Sequence, residues 1–151
     1  MLVVKCEQGK EEWHQARLGI PTASCFSKLI TQSGAPSRQA RAYRMKLLAE
    51  WLCGAHLPDE DYISPAMSRG YMLQPQAIKF YEMEREVDVE GVGFVYIDER
   101  RLVGCSPDGL VDGGGVEIKC PYSTAHMEFL LSGELPDQYR AQVQEIGRAH
   151  V

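Results

Sequence analysis

Cysteine is scarce in the one arrangement that would carry chemistry. The five present (Cys6, Cys25, Cys53, Cys105, Cys120) are odd in number and widely scattered, with no C-x-x-C pair. That argues against a zinc ribbon and a disulfide framework and leaves reduced, packed thiols as the expectation. No apolar run approaches the roughly 20 residues of a bilayer span, so no membrane partner is expected. Met1-Leu-Val-Val-Lys5 is too short for a secretory leader, which makes the cytoplasm the default location. There is no internal repeat, low-complexity tract or Pro/Ser-rich linker. His14, His56, His126 and His150 lie far apart, without metal spacing and without a Ser/His/Asp grouping. An excess of positive charge is also missing, since the net charge is −5.

What is present suits one soluble domain. A chain of 151 residues buries a real core, and 44% hydrophobic with 25% charged residues is ordinary for a globular protein. The charge is unevenly spread. Residues 1–50 hold eight Lys/Arg against four Asp/Glu, a net +4, and the remainder nets −9. Between Lys28 and Lys46 there are five positive residues and no acid. Such a strip is commonly a solvated helix face; beside an acidic centre it also suits a protein that follows a phosphate backbone and holds a metal.

The first half reads as helical. Glu11 to Leu18 is a short amphipathic piece ended by Gly19. Thr22 is placed to cap a second helix through Leu29-Ile30, and Ser37 a third, in which Tyr43, Leu47, Leu48 and Trp51 recur at helical spacing until Gly54. A fourth helix spans roughly Ala66 to Glu84, with Pro75 expected to kink it or mark its first turn. Trp13 and Trp51 are read as core rather than as base-stacking platforms. The period then changes. Gly91–Ile97 and Arg101–Cys105 read as strands around an Asp98-Glu99-Arg100 turn, and Leu110-Val111 with Val116–Lys119 as a hairpin over Asp112 and a flexible Gly113-Gly-Gly115 tip. Helical signal returns over Ser123–Leu131 and Pro136–Gln144. The expected class is α/β, a short mixed sheet flanked by helices. The last helix, with no strand after it, leaves that sheet looking unfinished. Glu145-Ile-Gly-Arg-Ala-His-Val151 breaks the preceding apolar rhythm and matches the in-frame translation of a common sequencing adapter. The expectation is therefore a domain over residues 1–144, incomplete at its C-terminus, with a non-native or frayed tail at 145–151.

The segment richest in chemistry is Ser106-Pro-Asp108-Gly-Leu-Val-Asp-Gly-Gly-Gly-Val-Glu117-Ile-Lys119-Cys-Pro121. On a strand, positions i and i+2 share a face, so Glu117 and Lys119 point together while Ile118 points to the core. The hairpin returns Asp108 beside Glu117. Two converging carboxylates make an oxygen site for Mg²⁺ or Mn²⁺, with the Ile118 carbonyl as a further ligand, and Lys119 is placed to orient water or meet charge building on a phosphate. The spacing alone is also that of an ordinary hairpin with an exposed Glu-Lys pair.

The flanks extend the pattern. Ser-Pro-Asp-Gly-Leu before it and Glu-Ile-Lys-Cys-Pro at its end resemble the PD-(D/E)XK nuclease motif as written in the phage lambda exonuclease (YqaJ-type viral recombinase) family. Three more blocks match that family in order: Trp13-His-Gln-Ala-Arg17-Leu-Gly19-Ile-Pro-Thr22-Ala-Ser24, Gly70-Tyr-Met-Leu-Gln74-Pro-Gln-Ala77, and Tyr139-Arg-Ala-Gln142-Val-Gln144. The resemblance covers about residues 7–144. It implies a PD-(D/E)XK core, Asp108 and Glu117 as metal ligands, and Lys119 as the catalytic lysine. It also places Arg17, Ser24, Ser106 and Gln142 in a pocket for the 5′ phosphate of the digested strand, chemistry that suits a guanidinium fork with hydroxyl and amide donors. Without the resemblance, Arg17 would be assigned to Glu11 or Glu12, Ser24 to a turn, and Gln142 to an exposed surface.

The implied activity is Mg²⁺-dependent digestion of linear double-stranded DNA, 5′ to 3′ from phosphorylated ends, in recombination. Implied partners are DNA ends, two further copies in a homotrimer, and a single-strand annealing protein, in a bacterial cell with a phage or prophage source. One position departs from the family. Its central helix carries Glu four residues after the glycine, where this chain has Gln74, an amide with a carbonyl oxygen but no charge; Glu82 and Glu84 are the fallback carboxylates. Two alternatives follow: a DNA-end-binding module that does not cut, and another PD-(D/E)XK processor, Cas4-like, whose iron–sulfur cluster the scattered cysteines do not provide.

Overall fold

A computed structural model describes residues 1–57, 64–112 and 114–148. Gly113, at the expected hairpin tip, and residues 149–151 of the expected tail, His150 among them, lie outside the described residues.

Two small antiparallel ladders form the β layer. In the first, β1 (Leu2–Val4) pairs with β2 (Phe94–Tyr96), which pairs with β3 (Gly104–Cys105). The second is a hairpin of β4 (Gly109–Val111) and β5 (Gly114–Val116), in register Gly109 to Val116. A parallel bridge from Thr22 to Gly104 makes the pairing mixed, and a bridge from Glu90 to Leu110 ties the hairpin to the chain leaving α3 (Pro65–Arg85). Strand β1, Leu-Val-Val, was not expected from the sequence. Three residues are too few to display a period.

Ala23, Val92, Val95, Cys105 and Ile146 are the buried cluster, with Val3, Ile97 and Leu110 around it. Among the described residues the helices run in chain order α1 (Glu11–Ala16), α2 (Ala40–Cys53), α3, α4 (Ser123–Ser132) and α5 (Asp137–Arg148), and α5 packs on β3, β5 and the Ala23–Lys28 segment. It closes the core with Ile146 and carries Gln142 toward the hairpin. Cys105 is buried, and desolvation pushes its thiol up to about 12; Cys53 is exposed.

Several local expectations are corrected. Ala23–Lys28 is a 3₁₀ helix, and Thr22 makes no side-chain cap bond; instead its N–H donates to the Tyr43 hydroxyl at 3.4 Å. The following helix, α2, begins at Ala40 rather than after Ser37, and Gly54 ends it in the left-handed region. In α3, Pro65 takes the first turn behind a Ser64 cap, whose Oγ accepts the Met67 N–H at 3.2 Å, and the helix continues through Pro75. Pro75 leaves the Tyr71 carbonyl without its helical N–H donor, a local cost of about 3 kcal/mol for an interior proline that the 21-residue helix carries.

Trp51 is not core. It is 68% exposed, although the chain passes α2 beside it at Gly19 (φ +68°), where a Cβ would sit 2.8 Å from the Trp51 Cβ. The buried Glu50 secures that crossing by accepting the Gly19 N–H at 3.3 Å; its other oxygen accepts the Leu57 N–H at 3.2 Å and lies 3.1 Å from His56 Nδ1. His14 and His56, 42 positions apart in sequence, stack with ring centroids 4.9 Å apart. Among the described residues no helix is long and apolar enough to cross a membrane.

Candidate active site

The hairpin delivers the carboxylates. Asp108 stands just before β4, and its N–H donates to the Val116 carbonyl at 2.9 Å, one residue past the last strand pair. Glu117 therefore arrives directly opposite. Two features hold this turn. Pro107 is fully buried, and its carbonyl accepts the Gln8 amide at 2.8 Å. Gly109 passes Val89 so closely that a Cβ would meet the valine Cγ1.

Glu117 and Lys119 lie past the end of β5, not within it. The extended backbone still puts them on one side, with Lys119 Nζ donating to Glu117 Oε1 at 2.5 Å. Ile118 turns its N–H to Asp108 Oδ2 at 2.5 Å, closing the pair of carboxylates into one unit. Two helices add an amide each. Gln74 of α3 donates to Asp108 Oδ1 at 2.6 Å, and Gln142 of α5 donates to Glu117 Oε1 at 2.6 Å. Gln142 is thus half-buried on the carboxylate cluster rather than exposed. Of the fallback carboxylates, Glu82 is occupied in accepting the Val89 N–H at 2.9 Å, and Glu84 is exposed.

Electrostatically the cluster is unfinished. Burial pushes the Asp108 carboxyl above its usual range, opposed by the Ile118 N–H, the Lys119 charge and the Gln74 amide. Glu117 is pushed up as well, by burial first; Lys119 and Gln142 oppose this, while the negative charge of Asp108 adds to it. Glu117 Oε2 is buried and meets no hydrogen-bond donor, a costly state for an anionic oxygen. A hard divalent cation fits this donor set: two carboxylates, an amide oxygen within reach on Gln74, and one oxygen lacking a partner. Among the described residues no three His/Cys/Asp/Glu side chains come together.

A second cluster involves Ser106, two residues before Asp108. Ser106 Oγ accepts the Trp13 indole N–H at 2.8 Å and Arg17 Nη1 at 3.4 Å. The Arg17 guanidinium lies over the Trp13 ring, 3.9 Å from its centroid. Arg17 thus touches both Trp13 and Ser106. Ser24 Oγ sits 3.5 Å from Thr22 Oγ1, and no bond joins it to Ser106. Trp13, expected in the core, is only half-buried. Its indole was the functional signal missed in the sequence, since a tryptophan four residues before an arginine reads as helix packing.

The description of the YqaJ-like viral recombinase domain matches residues 12–146. The chain belongs to that family. Its fold also matches the crystal structure of an alkaline exonuclease, LHK-Exo, from Laribacter hongkongensis, with 34% identity and a TM-score of 0.77 over 94% of this chain and 69% of that one. The structure of LHK-Exo in complex with dAMP gives 34% identity and a TM-score of 0.76, covering 90% and 66%. This chain therefore spans about two thirds of that exonuclease. None of the curated proteins matches. The α/β class expected from the sequence is the one observed, in the PD-(D/E)XK form of an alkaline exonuclease.

Proposed function

We propose that this family member is a divalent-metal-dependent exonuclease of linear double-stranded DNA, acting 5′ to 3′ from phosphorylated ends in phage-type recombination. The observation that carries the reading is the buried, partnerless Glu117 Oε2 beside Asp108 and Lys119. Folding leaves that oxygen without a donor at a cost, and a cation is the ligand that offsets it.

Asp108, Glu117 and the carbonyl oxygens of Gln74 and Ile118 would hold Mg²⁺ or Mn²⁺. When bound, the ion supplies a Lewis acid for the phosphoryl oxygens and lowers the pKa of water. The chain supplies the rest. Lys119 holds a positive charge at the open edge of the carboxylate pair, where charge develops on the phosphate. Gln142 fixes the Glu117 side chain so that Oε2 faces inward. Arg17, Ser24, Ser106 and Gln142 are assigned to the 5′ phosphate, which would set both the preferred end and the direction. The exposed cations Arg38, Arg41 and Arg44 suit the duplex backbone.

Digestion of linear duplex bearing 5′ phosphates, in Mg²⁺ or EDTA and beside Asp108→Ala, tests the proposal. Loss of duplex that needs both metal and Asp108 supports it, and strand-specific end labels read the direction. The homotrimer and the annealing partner are part of the same reading; light scattering that gives a monomer at assay concentration would remove the trimer.

Gln74 favours a second reading, an end-binding module that does not cut. Its neutral amide already occupies Asp108 Oδ1. A folded protein that binds phosphorylated ends with no turnover in Mg²⁺ or Mn²⁺ would establish this alternative.

A further inference from the structure

Ser106 is held in an unusual way. A hydroxyl oxygen carries two lone pairs and one proton. Here the oxygen faces two N–H donors, the Trp13 indole at 2.8 Å and the Arg17 guanidinium at 3.4 Å. Neither donor can accept in return: an indole N–H only donates, and an arginine does not lose its proton. The Ser106 hydroxyl therefore cannot turn its proton toward either neighbour. It has one remaining capability, donating on the side away from both.

The same indole sets the arginine. The Arg17 guanidinium lies 3.9 Å from the Trp13 ring centroid, well inside the roughly 6 Å reach of a cation–π contact. Stacking covers one face of the guanidinium and holds its plane beside the Ser106 hydroxyl, and a guanidinium meets an oxyanion in its plane. The indole is itself fixed. The Trp13 backbone N–H closes a turn on the Lys10 carbonyl at 3.0 Å, His14 meets the ring edge-on with centroids 4.9 Å apart, and the Tyr96 hydroxyl ties down the same helix by donating to the Ala16 carbonyl at 2.6 Å. One ring thus orients two donors that come from positions 17 and 106 of the chain.

We propose that Trp13 is a positioning residue for recognition of a terminal phosphate: it compels Ser106 to present its O–H, beside the Arg17 guanidinium, to the phosphate monoester at a DNA end. The inference rests on the reading of Arg17 and Ser106 as 5′-phosphate contacts and adds the residue that makes them competent.

The test is equilibrium binding in EDTA, where cutting does not intervene. Fluorescence anisotropy would measure Kd for blunt duplexes with a 5′ phosphate or a 5′ hydroxyl, in the wild type, Trp13→Phe, Ser106→Ala and the double variant. The expected result is a wild-type preference for the phosphate that falls about five- to tenfold in Trp13→Phe, the range of one charge-assisted hydrogen bond. Ser106→Ala should fall by a similar factor, and the double variant no further than Ser106→Ala, because both substitutions act through one hydroxyl. Full preference in Trp13→Phe, or losses that multiply in the double variant, would overturn the inference. If Trp13→Phe does not fold, Ser106→Ala decides alone, and retained preference in that variant overturns it. A wild type that binds both ends equally removes the phosphate-pocket reading itself, a separate outcome.

Discussion

The two ends of the site are built on opposite electrostatic plans. At the carboxylate end, Asp108 and Glu117 are pushed above their usual range by burial, and one anionic oxygen has no donor. Its helper groups are neutral amides from Gln74 and Gln142. At the Arg17 end, a half-buried cation rests on an aromatic face and a hydroxyl already receives its donors. The first end is incomplete until a positive charge enters. The second already carries its positive charge. On the proposed reading such a site would bind a DNA end without metal and act on it only with metal, so the two halves should separate experimentally.

The largest effect is expected from Glu117→Gln, which keeps the shape and removes the charge. Turnover should fall by on the order of a thousandfold, as for loss of a main transition-state contact, while binding of 5′-phosphorylated duplex in EDTA stays within a few-fold of wild type. Equal loss of binding would show that the two ends are not separable. Next is Gln74→Glu, which supplies the third carboxylate. The Mg²⁺ midpoint for activity should drop roughly ten- to a hundredfold, with a larger Mg²⁺-induced rise in Tm; no change in either would take Gln74 out of the metal shell. Arg17→Ala should cut the preference for phosphate over hydroxyl ends about tenfold or more and leave the Mg²⁺ midpoint unmoved. Smallest in range is Gly19→Ala. A left-handed φ and contact with Trp51 should cost about 2 kcal/mol of stability in urea titrations. End discrimination should weaken with it, since residues 17–19 form one turn, and the carboxylate end should keep its metal response.

The carboxylate end was legible in the sequence for a definite reason. Asp108, Glu117 and Lys119 belong to one hairpin, and strand alternation with a short turn brings them together whatever the rest of the chain does. Even ending β5 at Val116 left Glu117 and Lys119 on one side, because the backbone stays extended. Less legible were elements whose form depends on distant partners. Ala23–Lys28 carries a helical pattern but tightens to 3₁₀ where Thr22 bridges Gly104. Trp51 sits at helical spacing, yet it is 68% exposed, because spacing alone does not say which face of a helix the rest of the chain covers. The pairing of His14 with His56 around Glu50 joins residues that sequence spacing had kept apart.

Taken by itself, the amino-acid sequence determined the α/β class, the family and the three charged side chains of the hairpin, because each rests on short-range periodicity or on ordered local motifs. Tertiary structure alone decided what surrounds those charges. It placed Gln142 on Glu117, left Glu117 Oε2 without a donor, and made Trp13 a partner of Ser106 across 93 positions of chain. Burial and long-range hydrogen bonds are properties of packing, and no local spacing encodes them.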